Sequence, residues 1–195
     1  MIYSGNNSVQ HLIWRGLKDF PTPGVFLYLE DANVIVRSEA AHRLQLRPSR
    51  TVFLHVAKLL KSTTVYKREV AAFTLGQLGT PKRPYKKDST RVLLQALKTE
   101  SNAIVRSTII VALGQLKAEK ALRRIVPFAK DRSPGVRAAV ATAIGEIYCE
   151  RSKDIPPRLM RLVRKLRTDR SRSVREWAAL SLELIRGPLP GELDE

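Results

Sequence analysis

The sequence predicts an all-α fold, an α-solenoid of about five helical hairpins, and three observations predict it. An arginine at a fixed place in a repeated segment recurs at Arg37, Arg68, Arg106, Arg137 and Arg175, with spacings of 31, 38, 31 and 38 residues. Self-similarity at a period of a few tens of residues marks supersecondary units that bury their apolar faces only by stacking on one another. Each copy also has a helix-start residue four positions before the arginine and an apolar stripe three, four and seven positions after it. Between the copies lies a second set of amphipathic segments joined by short polar loops, as helix–turn–helix pairs require.

The elements follow in order. Residues 9–20 form an amphipathic segment expected to cap the N-terminal end of the array, the cap extending over 1–23. The repeats occupy 24–186 and the polar tail 187–195, all within one domain, 1–195. In each repeat the anchored helix opens after Asn33, Thr64, Asn102, Ser133 or Ser171, whose side chains can accept from the orphan N–H groups of a first turn. Pro134 stands at a first helical position, where its missing N–H costs little. The stripes read Ala71, Ala72, Leu75, then Ile109, Ile110, Leu113, then Val140, Ala141, Ile144, then Ala178, Ala179, Leu182. Gly76, Gly114 and Gly145 fall eight positions after their arginines. Glycine costs roughly 1 kcal/mol against alanine inside a helix, so these mark close approach by another backbone. The intervening helices are expected over 51–61, 89–98, 121–130 and 158–167, the last turning Leu159, Leu162, Val163 and Leu166 inward. Two proline-bearing loops, 80–89 and 150–157, account for the longer spacings.

An acidic residue, then Val-Arg, then a small-residue stripe closing on Leu-Gly-x-Leu resembles a HEAT repeat, particularly the bacterial type of phycobilin-lyase-like proteins. The likeness covers residue 31 to about residue 186. In that family the acidic residue and the arginine of successive repeats form a hydrogen-bonded ladder. The positions implied here are Asp31 with Arg37, Glu100 with Arg106, Asp131 with Arg137 and Asp169 with Arg175. Ser62 holds the acidic position of the second repeat, so the ladder is expected to break there. The runs REVAAFTLGQLG and VREWAALSL, together with RLQLR over 43–47, are similar to YibA-type proteins, bacterial HEAT-repeat chains associated with Rhs toxin loci and regarded as immunity proteins.

Charge is the strongest functional signal. The chain carries 35 Lys and Arg against 18 Asp and Glu, a net +17. The excess is +5 through Thr80 and +12 from Pro81 onward, and residues 151–175 alone hold +8. Arg158, Arg161 and Lys165 recur at helical spacing as one solvent-facing stripe. The loop after Thr80 adds Lys82, Arg83, Tyr85, Lys86 and Lys87. Any one of these side chains is most simply a solvated charge. As clusters they predict an acidic protein partner, a toxin if the YibA-type likeness extends to function, with nucleic acid as the alternative.

Catalytic constellations are not found. His11, His42 and His55 stand apart and none neighbours a glutamate, so the His-Glu pairs of iron-binding HEAT hydroxylases are missing. Cys149 ends an apolar helix and reads as a buried, inert thiol. No glycine-rich phosphate loop carries a lysine. The expectation is a monomer that is not an enzyme and has no cofactor or metal. Trp14 and Trp177 fit either of two roles, covering the two ends of the array or, as in HEAT-like DNA glycosylases, stacking on bases. A single cysteine, no apolar run near about 20 residues and no basic-then-apolar start predict a soluble, cytoplasmic chain without membrane insertion.

Overall fold

The recurring arginine closes the same turn five times. In the computed structural model, which describes residues 7–187, each guanidinium reaches back from the first turn of its helix to two backbone carbonyls of the preceding loop. Arg37 donates to the oxygens of Asp31 and Ala32, and Arg68 to those of Ser62 and Thr63. Arg106, Arg137 and Arg175 do the same to Glu100 and Ser101, to Asp131 and Arg132, and to Asp169 and Arg170. These carbonyls have left one helix and have no partner in the next, so one arginine satisfies the orphans of the turn. The side chain at the acidic position completes it by accepting from the N–H two residues on, at 2.7–3.1 Å. Ser62 does this as well as the carboxylates do.

The helices divide into two units, Met1–Ser89 and Thr90–Glu195, the boundary falling inside one helix. The first unit holds α1 (Asn7–Gly16), α2 (Thr22–Leu29), α3 (Val34–Gln45), α4 (Arg50–Leu59) and α5 (Val65–Gln77), with α6 (Lys86–Thr99) crossing the boundary. Here α3 packs against α1, α2 and α5, and α4 against α5. In the second unit α7 (Ala103–Gln115), α9 (Pro134–Ile147) and α11 (Arg172–Arg186) stack in series, while α8 (Leu122–Ile125) and α10 (Pro157–Leu166) precede α9 and α11. The described residues contain helices and no strand, an α-solenoid.

The stripes form the core. Ala71, Ala72, Leu75, Ile109, Ile110, Leu113, Val140, Ala141 and Ile144 are fully buried, and Ala178 with them. The glycine reading holds at two sites. A Cβ on Gly114 would lie 2.6 Å from the Ala143 Cα, and one on Gly145 would lie 2.9 Å from the Ser181 Cα. Both obstacles are backbone and cannot rotate away. Gly114→Ala is therefore expected to lower stability by about 1–3 kcal/mol despite the better helix propensity of alanine, read from the urea midpoint.

Five helix starts stand where the pattern puts them, but not all cap in the expected way. The Asn33 side chain accepts from the Ile35 N–H, and that of Asn102 from Ile104 and Val105. Thr64, Ser133 and Ser171 take the extended cap conformation, yet their hydroxyls bond no first-turn N–H. Asn102→Ala should cost about 1 kcal/mol and Ser133→Ala clearly less, a contrast measurable by thermal unfolding.

Other elements depart from expectation. The segment predicted as a helix over 121–130 is a four-residue helix, α8, between 3-10 turns at Glu119–Ala121 and Val126–Lys130, because Pro127 removes a donor and disfavours helix before it. Helix α6 opens at Lys86, inside the expected 80–89 loop. Past Pro84 nothing opposes it, and Asp88 suits a first turn. Helix α2 went unforeseen because its run Val25–Leu29 is apolar without helical period. The N-terminal amphipathic segment ends at Gly16, four residues short of the expected boundary. Arg43 binds it, and Arg47 binds the turn that follows. Arg43 donates to the Trp14 carbonyl and stacks 3.6 Å over the indole, and Arg47 donates to the Lys18 and Phe20 carbonyls. In the predicted tail, 187–195, only Gly187 lies within the described residues.

Candidate functional site

Helix α10 is where fold and charge meet. Pro156 and Pro157 start it, and Leu159, Val163 and Leu166 are buried on one side. Most of the remaining surface is cationic: four positions of the helix carry a positive charge, and its C-cap residue, Arg167, makes five. Arg158, Arg161, Arg164, Lys165 and Arg167 are all exposed, and no acidic residue occurs in the helix. Among the described residues none of the five lies within ion-pair distance of a carboxylate. Like charges three and four residues apart destabilise a helix by roughly 0.2–0.5 kcal/mol per pair, so this arrangement carries a standing cost.

Each flank of α10 opens into a cleft. One, of about 320 Å³, takes Lys120 and Arg123 from the preceding hairpin and Arg158 from α10, with Tyr148 at its base. The Tyr148 hydroxyl donates to Glu119 at 3.1 Å, and burial, reinforced by that acidic neighbour, pushes its pKa up. The other cleft, of about 580 Å³, lies toward α11. Arg164, Arg167 and Arg186 rim it, Met160, Leu182 and Ile185 supply apolar wall, and Ser152 and Thr168 complete it.

The second cluster, in the first unit, is not one loop surface. Lys82, Lys86 and Lys87 are exposed, but the two latter stand on the first turn of α6. Tyr85 is committed to packing, stacked on Phe53 with centroids 5.5 Å apart, and Arg83 is half-buried with positive φ.

The ladder residues form rungs between repeats in the second unit. Arg106 lies 3.2 Å from Asp131, and Arg137 grips Asp169 through two bonds of 2.8 and 2.7 Å. The Arg137 bond holds the Asp169 carboxyl below its usual pKa, and the carboxylate raises that of the guanidinium. Where Ser62 replaces the acid, Arg37 lies over the Tyr66 ring at 4.7 Å. Asp31, Glu100 and Arg175 serve the turn geometry described above.

Residues 90–183 match the family model described as HEAT repeats. This stretch is a HEAT-repeat array. Protein YibA of Escherichia coli strain K12, and that of strain O157:H7, are each 26% identical to the chain over 183 residues. The match covers 91% of this chain and 62% of each relative, so the chain spans less than two thirds of their length. The crystal structure of the Escherichia coli YibA superposes with a TM-score of 0.75 at 24% identity, over 93% of this chain and 64% of that one. The complex of CpcE and CpcF of phycocyanin lyase from Nostoc sp. PCC7120 contains a chain with a TM-score of 0.64 at 16% identity, over 83% and 98% of the two chains. These likenesses establish the HEAT-type solenoid fold.

The remaining expectations sort themselves. Cys149 is half-buried and lies beyond the end of α9, because that helix stops at Ile147. His55 stacks on Phe26 with centroids 3.9 Å apart, and burial lowers its pKa. His42 lies 3.5 Å from Glu39, and His11 stacks on Trp14. Among the described residues no three His, Cys, Asp or Glu side chains gather where a metal could bind, and no helix is long and apolar enough to cross a membrane. Trp177 is 46% exposed on α11, where Leu180 and Leu184 are exposed as well. Glu183 stands in α11 where α7 and α9 have their close-approach glycines. The charge analysis missed Lys120, Arg123, Arg164, Arg167 and Arg186. Met160, Arg164 and Arg167 were legible as a second stripe at helical spacing, whereas Lys120, Arg123 and Arg186 join the site only through the fold.

Proposed function

We propose that this HEAT-repeat chain is a non-catalytic, cytoplasmic, monomeric scaffold that binds an acidic protein partner through the basic arc of α10. One observation carries the reading: four exposed cations on a ten-residue helix and a fifth, Arg167, at its C-cap, without a carboxylate partner among the described residues. An external acidic surface would relieve their mutual repulsion and gain steering at long range. The YibA-type likeness makes a toxin the partner to look for first, with the scaffold acting as an immunity protein by covering the toxin's active surface.

Co-purification from the native host at low and at moderate salt tests this reading. The expected outcome is an acidic protein retained at low salt and progressively lost as salt screens the contact. Recovery of no protein partner, together with binding to duplex or single-stranded DNA near physiological salt, would overturn it in favour of nucleic acid. On duplex DNA the logarithm of affinity would then fall with the logarithm of salt at about −0.9 per neutralised phosphate.

A further inference from the structure

We infer that the cleft between α10 and α11 is a peptide-binding site for an acidic segment in which an aliphatic side chain stands next to carboxylates. This inference rests on the acidic-partner reading and specifies what that partner presents. The cleft is large enough for a few residues, at about 580 Å³. Its rim carries Arg164, Arg167 and Arg186, all exposed and without an ion-pair partner among the described residues. Guanidinium forks match carboxylates two bonds at a time, so three of them around one opening favour a segment with several acids over a single ion.

The wall decides the rest. Met160 and Leu182 are half-buried and Ile185 is buried, so the interior offers apolar surface that water covers poorly. A leucine-like side chain would bury there while its neighbouring carboxylates reach the rim. No aromatic side chain lines the cleft, so it lacks the stacking surface that single-stranded nucleic acid uses. The Thr168 hydroxyl donates to the Lys165 carbonyl, which leaves the arginines, with the Ser152 hydroxyl beside them, as the recognising groups.

The test uses the full chain and a fluorescein-labelled peptide of sequence Ser-Asp-Glu-Leu-Glu-Asp, followed by fluorescence anisotropy in about 0.15 M salt. The peptide is expected to bind. Arg164→Glu with Arg167→Glu should weaken it at least about tenfold, as should a probe with amides in place of its carboxylates. A probe with serine for leucine should weaken severalfold through the lost apolar contact. Charge reversal of Lys58, exposed on α4 of the first unit, should leave peptide affinity within about threefold. Arginine variants that keep the wild-type circular dichroism and melting temperature qualify; Arg186→Gln is the milder second variant. Equal binding of the amide probe, equal binding by the arginine variants, or displacement by an oligothymidine at the same concentration would overturn the inference. Partner capture that survives while the peptide fails to bind would remove this site and leave the scaffold reading standing.

Discussion

Replacing Arg137 by alanine should destabilise the second unit by about 3 kcal/mol, the low end of the range for breaking a buried ion pair because Asp169 keeps a little exposure. The side chain is 6% exposed and holds four acceptors at once, two carbonyls of its own turn and both oxygens of Asp169. Truncation strands all four and leaves a carboxylate without its counter-charge. Arg137→Lys should recover only part of the loss, since one ammonium cannot span a carboxylate and two carbonyls. Arg175→Ala, whose guanidinium meets only two carbonyls and lies in the open, should cost markedly less. The same rung sets a pH dependence. Asp169 has its carboxyl pKa lowered in the folded state, chiefly by the Arg137 bond, so its contribution is fully present above the unfolded value of about 3.9. It is lost as pH falls from there through the folded value. The gap between wild type and Arg137→Ala should therefore narrow at acid pH, to what the two carbonyl bonds contribute, and widen towards about pH 4 and above, which urea titrations across that range would show. An unchanged melting temperature for Arg137→Ala at neutral pH would remove the rung from the account of stability.

Reversing Arg158, Arg161 and Lys165 to glutamate together should leave folding intact and abolish capture of the acidic partner, at least about a hundredfold in affinity. The three side chains are exposed, and α10 is held by Leu159, Val163 and Leu166 on the opposite side. Their replacement even removes like-charge repulsion from the helix, so the melting temperature should hold or rise slightly. Three reversals place six units of charge difference before the partner. Such changes act first on association rate, so stopped-flow or surface binding should show the loss mainly in the on-rate and growing as salt is lowered. Undiminished capture would mean that the stripe is a solvated face. The corresponding reversal of Lys86 and Lys87 should do much less, because their neighbour Tyr85 is spent on Phe53 and the pair stands alone on a first helical turn.

The array of helical hairpins was legible before any coordinates. The spacing of the five arginines, the cap residues before them and the stripes after them are local properties, written at helical period and repeated five times. Local periodicity survives tertiary context because each repeat meets nearly the same neighbours as the last. Gly114 and Gly145 could be read for the same reason, as small residues at a recurring place on a buried stripe. Where the physics was not periodic, the reading failed. Pro127 broke a helix that the apolar pattern alone would have continued, and α2 was too uniformly apolar to show a face.

The candidate site divided along the same line. The stripe of Arg158, Arg161 and Lys165 belongs to one helix and was visible as spacing. That Arg186 of α11 meets Arg164 and Arg167 across a cleft, and that Lys120 and Arg123 face Arg158, was decided only when separate segments packed. Likewise, charge and spacing left Tyr85 as a recognition residue until packing gave its ring to Phe53. Sequence alone determined the repeating scaffold and its cationic excess, because helix formation and charge are encoded residue by residue. Tertiary structure decided which cations share a surface and which aromatics remain free, because proximity between segments distant in sequence follows from packing.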